Sequence, residues 1–401
     1  MSRAAILVWL FGLTQIVGYG TLYYSFSVLA PSMAEDLGLA IGWVYGAFSL
    51  ALLAGGLVSP FVGRAVDRHG AGAVMTFGSL AAAAALVLCA TAGNAPMLAM
   101  GLVAIEVTAI FVQYEAAFAA LVQLTGSDAN RRITHLTLIA GFASTIFWPL
   151  TSALHDIMSW RDVYLWYAGL HVVLCLPIHI WVARQPRTGG ADCATIPDGD
   201  TADRPSMGSE RRAFALLLIG FSLVGFVISA LLVHMIPLLT ALGLGSMSAI
   251  VGAVFGPAQV LSRVVNMGFG RELHPLRLAM ISAGMMVLAL GLLAVASPWL
   301  VAALMFSALF GLGSGLTSIV RGTVPLALFG SRGYGARIGK LTSARLILSS
   351  IAPFAFALVL ERAGTAVGLC LLVGLALLAV GALWAIDRQR VRAGLGYSPA
   401  E

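Results

Sequence analysis

Apolar runs long enough to cross a lipid bilayer recur along the whole of this 401-residue chain, and no other feature limits its fold as sharply. A membrane helix needs about 20 apolar residues to traverse the hydrocarbon. Runs of that kind cover residues 4–30, 41–63, 72–91, 96–123, 132–154, 162–183, 213–240, 246–269, 277–296, 299–322, 338–361 and 365–387. The expected fold is therefore all-α and integral to the membrane, with twelve transmembrane helices. A transmembrane β-barrel would instead show alternating segments of about ten residues, and the sequence has none.

Composition closes off the soluble alternatives. Hydrophobic residues make up 60% of the chain and charged residues 10%, against roughly 25% charged in ordinary globular domains. Mean hydropathy is +0.95. Lipid must serve as solvent for most of this surface. All but Lys340 of the 23 basic residues are arginine, and they fall in short gaps between apolar runs. A nucleic-acid binder would gather them on a soluble face, so nucleic acid is not an expected partner. Cys89, Cys175, Cys193 and Cys370 show no spacing that suits a zinc site or a disulfide framework; no metal or cofactor is expected. The first apolar run reaches Ala30, beyond the roughly 7–15 residues of a signal-peptide core, so it reads as a retained first span.

Basic loops stay cytoplasmic. With the N-terminus inside, all but Arg161 and Arg362 of the 23 basic residues fall at the inner side. Both termini are accordingly expected in the cytoplasm, in a multi-pass protein of the cell inner membrane. Residues 184–212 form the only long polar stretch, rich in Pro, Gly, Asp and Ser, and should be a flexible cytoplasmic linker. It separates an N-terminal six-helix bundle, 1–183, from a C-terminal six-helix bundle with a short tail, 213–401. The halves look weakly related. Leu37-Gly38-Leu39 matches Leu242-Gly243-Leu244, Gly63-Arg64 matches Gly270-Arg271, and Pro31 matches Pro237, each pair about 206 residues apart. The two prolines are expected to end the first and seventh spans. Pseudo-symmetric bundles place a binding site between them, near the bilayer midplane.

The loop after the second span reads Gly63-Arg64-Ala65-Val66-Asp67-Arg68-His69-Gly70. It resembles the Gly-x-x-x-Asp-Arg-x-Gly loop that the major facilitator superfamily carries in the same place. Trp160-Arg161 before the sixth span and the plan of six spans, a linker and six spans resemble that superfamily too, over the whole chain. One departure is Ala71-Gly72, where members usually carry basic residues; the second copy, Gly270-Arg271-Glu272, is degenerate. The resemblance implies secondary transport by alternating access, with spans 1, 4, 7 and 10 lining a central cavity and 3, 6, 9 and 12 outside it. On physical grounds Asp67 can accept hydrogen bonds from a helix N-terminus or pair with arginine, and so act as a latch. Arg64 and Arg68 double as positive-inside anchors.

Among 17 acidic residues only Glu106 and Glu115 lie in the interior of apolar runs, away from their ends. A carboxylate at that depth is costly and marks a cavity or a partner. Nine residues of helix turn through about 900°, so the two face opposite ways. Glu106, sharing its face with Gln113, is the expected proton-coupling or substrate group. Glu115 is the expected partner of Arg131, Arg132 or the loop at Asp67. On the first span Gln15, Tyr19 and Tyr23 recur every four residues and should form one polar-aromatic stripe toward a solute. His234 near the outer end of the seventh span is a candidate relay. Arg263, inside the eighth span, is a candidate ligand for an anion. Gly311, Gly313 and Gly315 lack the strand and the Lys-Ser/Thr of a phosphate loop and read as close packing.

These residues point to a transporter and not an enzyme. The expected cargo is a small organic anion, moved with protons or a counter-solute by a protein that works as a monomer. A multidrug or arsenite exporter of the same superfamily is the alternative. Among other classes, a membrane transferase lacks a catalytic loop with clustered carboxylates or histidines, and a sensor lacks an output domain.

Overall fold

The computed structural model describes residues 3–187, 207–269 and 273–392, and every regular element among them is helical. Most of the expected linker, the Gly270-Arg271-Glu272 copy and Cys193 lie outside the described residues. In chain order the helices are α1 (Arg3–Asp36), α2 (Ile41–His69), α3 (Ala71–Ala90), α4 (Ala95–Val112), α5 (Tyr114–Thr125), α6 (Ala129–Ala140), α7 (Ala143–His155), α8 (Trp160–Ala183), α9 (Met207–Leu239), α10 (Ser248–Phe269), α11 (Pro275–Ala296), α12 (Leu300–Phe329) and α13 (Tyr334–Arg392).

Nine stretches among the described residues are long and apolar enough to cross a membrane. Three of them, Ala95–His155, Gly208–Gly268 and Tyr334–Gln389, run to 61, 61 and 56 residues. Unbroken, 61 residues would make about 90 Å of helix against about 30 Å of hydrocarbon. Each is interrupted at a glycine of positive φ: Gly126, Gly243 with Gly245, and Gly364. The chain is a multi-pass membrane protein.

Helix ends differ from the proline expectation. Pro31 and Pro237 both lie inside their helices, which run on to Asp36 and Leu239. A proline deletes only one backbone donor, which costs less than ending an apolar helix early. The stops come instead at Leu37-Gly38-Leu39 and Leu242-Gly243-Leu244, whose glycines have φ of 63° and 94°. Only glycine enters that region without strain, so each matched triplet turns the chain at its glycine.

The chain divides into two units. One comprises Met1–Thr195 with Gly330–Ser343, the other Ile196–Phe329 with Ala344–Glu401. In the first unit α4 packs against α2 and α3, and α3 against α8. Small residues let backbones approach where apolar attraction alone is weak: a Cβ on Gly101 would lie 2.6 Å from the Cα of Cys89. At one end of this unit Arg161 binds the Asp36 carboxylate and donates to the Ala92 carbonyl at 2.7 Å, while its guanidinium lies 4.3 Å from the Trp160 ring. The Trp160 indole also donates to Asp36, at 3.3 Å. The cluster ties the end of α1 and the turn before α4 to the start of α8. In the second unit α12 packs against both α10 and α11. Gly311, Gly313 and Gly315 make this possible: a Cβ on Gly313 would meet the Ser282 carbonyl at 2.8 Å, and one on Gly311 or Gly315 would meet the backbone of α10.

Candidate functional site

The Gly63–Gly70 stretch, expected as a loop, is helical through His69 and forms the last two turns of α2 with Gly70 as its cap; its side chains divide by role. Asp67 is exposed, yet both its oxygens are engaged. Oδ1 accepts the Gly335 amide at 2.9 Å and Oδ2 the Ala336 amide at 2.7 Å. Those amides are at the N-terminus of α13, where unpaired N–H groups and the helix dipole favour an anion. The expected latch partner is therefore a helix N-terminus, and its address is the segment Gly330–Ser343.

Three glycines let that segment approach. A Cβ on Gly63 would collide with the Gly335 carbonyl, and one on Gly339 would lie 2.7 Å from the Ser59 carbonyl. A small cavity remains, lined by Ser59, Gly63, Glu115, Gly335 and Gly339 among others. Gly70 has a φ of 91°, a conformation that favours glycine, and a Cβ there would displace the Arg187 guanidinium. Gln123 on α5 braces the loop from the other side: its Nε2 donates to the Val66 carbonyl at 3.2 Å and its Oε1 accepts the Ala71 amide at 3.0 Å. Arg64 lies over the Phe61 ring at 4.6 Å. Arg68 is exposed and makes no hydrogen bond among the described residues.

Glu115 has a partner that the sequence did not suggest. Its Oε1 accepts the Thr342 hydroxyl at 3.1 Å. Arg132 pairs at 3.2 Å with Asp128, the residue just before its own helix. The fourth span breaks just before Glu115. α4 stops at Val112, Gln113 is extended (φ −81°, ψ −167°), and α5 restarts at Tyr114. Gln113 still donates its amide to the Ala109 carbonyl at 2.9 Å, so the change of direction falls on Tyr114 and Glu115.

The break frees carbonyls, and Gln15 takes one. Its Nε2 donates to the Val112 carbonyl at 2.7 Å, and Gln15 is fully buried. Tyr19 packs against Tyr114, with centroids 4.7 Å apart. The expected stripe does not continue: Gly20–Tyr24 form a π-helical turn. That extra residue swings Tyr23, 41% exposed, toward Phe48 at 5.9 Å, while Tyr24 meets Trp148 at 5.6 Å. The result is an aromatic wall on several helices in place of a single column.

Glu106 lies on α4 where α2 crosses it, its carbonyl 3.0 Å from a Cβ placed on Gly55. It is 5% exposed, and its Oε1 has no hydrogen-bond partner among the described residues. Gln113 is also buried, with its Nε2 unpartnered among them.

In the second unit His234 sits with Nδ1 donating to the Ala230 carbonyl at 3.0 Å and its ring edge-on to Phe356. Arg263 is 6% exposed and donates from Nε to the Gly315 carbonyl at 3.4 Å.

Several polar positions escaped the sequence reading. Thr21 and His171 are buried and 2.8 Å apart, joining the π-turn of α1 to a second π-turn, His171–Cys175, in α8. Ser79 and His179 form a similar pair at 2.6 Å. Polar residues this deep must find partners, so a histidine within an apolar run was a usable signal for each pair.

The sequence matches the family model described as Major Facilitator Superfamily over residues 11–353. Among curated proteins none matches it. Among solved structures it is similar to the crystal structure of the human organic anion transporter MFSD10 (TETRAN), with a TM-score of 0.67 and 17% identity. That match covers 96% of this chain and 100% of the other, and at this identity it speaks to the fold. With a family match over most of its length and the same fold in a solved transporter, the chain belongs to the major facilitator superfamily.

Proposed function

We propose that this chain is a secondary transporter carrying a small organic anion by alternating access, with proton coupling through Glu106. The observation that carries the reading is the tether from Asp67 to the Gly335 and Ala336 amides. Hydrogen bonds to a charged group are each worth about 1.5–3 kcal/mol. Two of them bias an equilibrium by a few kcal/mol, the scale on which a protein exchanges one dominant conformation for another. A rigid structural anchor would use buried charge; this one is exposed and can be released.

Glu106 supports the coupling role because one carboxyl oxygen lacks a protein partner in an apolar setting. A proton or a solute group supplies what the protein leaves open. Arg263 supports an anionic cargo, since no acidic residue pairs with it among the described residues. The reading includes twelve crossings arranged as halves 1–183 and 213–401, joined by a cytoplasmic linker. Both termini are in the cytoplasm, and the protein acts as a monomer in the inner membrane.

Uptake of a panel of organic acids into proteoliposomes, with and without an imposed pH gradient, tests this. Gradient-stimulated uptake of at least one acid, lost in Asp67→Ala, is the expected result. Absence of uptake or exchange of every acid would overturn it.

A further inference from the structure

The helix pair α10 and α12 carries a polar stripe of its own. Gln259, Ser262, Arg263 and Asn266 occupy positions i, i+3, i+4 and i+7 along α10, which puts them on one side of the helix. Gly315 lets the α12 backbone come so close that a Cβ there would collide with Ser262 and the Gln259 carbonyl. Part of the stripe is used up in this packing. Gln259 donates to Ser314 Oγ at 3.0 Å, and Ser262 donates to the Gln259 carbonyl at 2.9 Å.

The rest of the stripe is not. Arg263 spends only Nε, on a 3.4 Å bond, and its two terminal nitrogens have no partner among the described residues. Asn266, 8% exposed, makes no hydrogen bond among them, and its Oδ1 is shut off without a donor. Arg321, six residues beyond Gly315 on α12, adds a second cation whose Nε is buried and unpartnered. Acidic residues of this unit among the described residues are Glu210, Glu361 and Asp387, none of them on α10 or α12. A cation that served only as an anchor would extend to the lipid headgroups. Arg263 is turned inward.

We propose that Arg263 and Asn266 form the binding site for a small carboxylate bearing a hydrogen-bond donor on the adjacent carbon, of which short-chain 2-hydroxycarboxylates are the simplest members. The guanidinium offers two parallel donors to the carboxylate, and the Asn266 Oδ1 accepts from the neighbouring hydroxyl. Residues three apart on a helix have Cβ atoms about 5–6 Å apart, the spacing at which two side chains can hold adjacent groups of one small molecule. The inference rests on the transport reading and sharpens it by naming the cargo.

The test is ligand-induced thermal stabilisation of the purified full-length protein, using short-chain 2-hydroxycarboxylates and their deoxy counterparts. The wild type should bind the hydroxy compounds more tightly. Arg263→Lys and Arg263→Gln should weaken binding by roughly tenfold or more, while Arg388→Gln leaves it unchanged. Asn266→Leu should erase the preference for the hydroxyl. Equal protection of wild type and Arg263→Gln overturns the proposal, as does the absence of protection by any compound of the panel. If the arginine variants do not fold, an unchanged hydroxyl preference in Asn266→Leu overturns it alone. Counterflow in proteoliposomes separates the two readings. Binding without counterflow removes transport and leaves the site; counterflow of another solute that ignores Arg263→Gln removes the site and leaves transport.

Discussion

Gln15 on α1 donates its side-chain amide to the Val112 carbonyl, 2.7 Å away, at the point where the fourth span breaks. The bond stands in for the intrahelical one that Val112 forgoes. It makes the break a fixed feature, and the break sets where Tyr114 and Glu115 point.

Gln15→Leu leaves that carbonyl buried without a donor. Such a loss costs about 1–3 kcal/mol, and the purified variant should melt at a lower temperature than the wild type. Equal melting temperatures would show that the bond does not hold the break.

Asp67→Ala removes the acceptor for the Gly335 and Ala336 amides. A cysteine placed at Ala336 should then react faster with a water-soluble thiol reagent, and transport should fall by roughly tenfold or more. Asp67→Asn keeps one acceptor oxygen and should lie between. An Ala336 cysteine whose reactivity ignores both substitutions would remove the tether from the mechanism.

Gly339→Val would press a side chain against the Ser59 carbonyl, which a bare Cβ already meets at 2.7 Å. Overpacking of this kind costs typically 1–3 kcal/mol. Here it should act on the N-terminal segment of α13, exposing Gly335 and Thr342 to hydrogen exchange. Protection unchanged from the wild type would contradict the close crossing.

Glu106→Gln retains size and one hydrogen-bonding oxygen but cannot carry a proton. Accumulation driven by a pH gradient should disappear while solute exchange partly survives. Persistence of gradient-driven uptake at the wild-type rate would end the coupling assignment.

The apolar runs and the Gly63–Gly70 loop could be read from sequence because their signals are local: a hydrophobic length and a short spacing. Asp67 was legible as a latch for that reason. Its partners Gly335 and Ala336, 268 and 269 residues away, were not, because backbone amides carry no side-chain signature. The change of direction after Gln113 was hidden because neither glycine nor proline announces that helix break. The column of Gln15, Tyr19 and Tyr23 failed at a π-turn, since one extra residue leaves hydropathy untouched and changes direction. Asn266 was passed over because a single amide beside Arg263 adds almost nothing to a hydropathy count.

The paired π-turns at Thr21 and His171 also bear on how this sequence can drift. Each is an irregularity of one residue in an otherwise α-helical run. A deletion elsewhere in either helix would rotate everything beyond it by about 100°, whereas a deletion at the π-turn restores a regular helix and leaves the flanking register in place. The two π-turns are therefore the points at which α1 and α8 can lose a residue with the least disturbance to the packing beyond them.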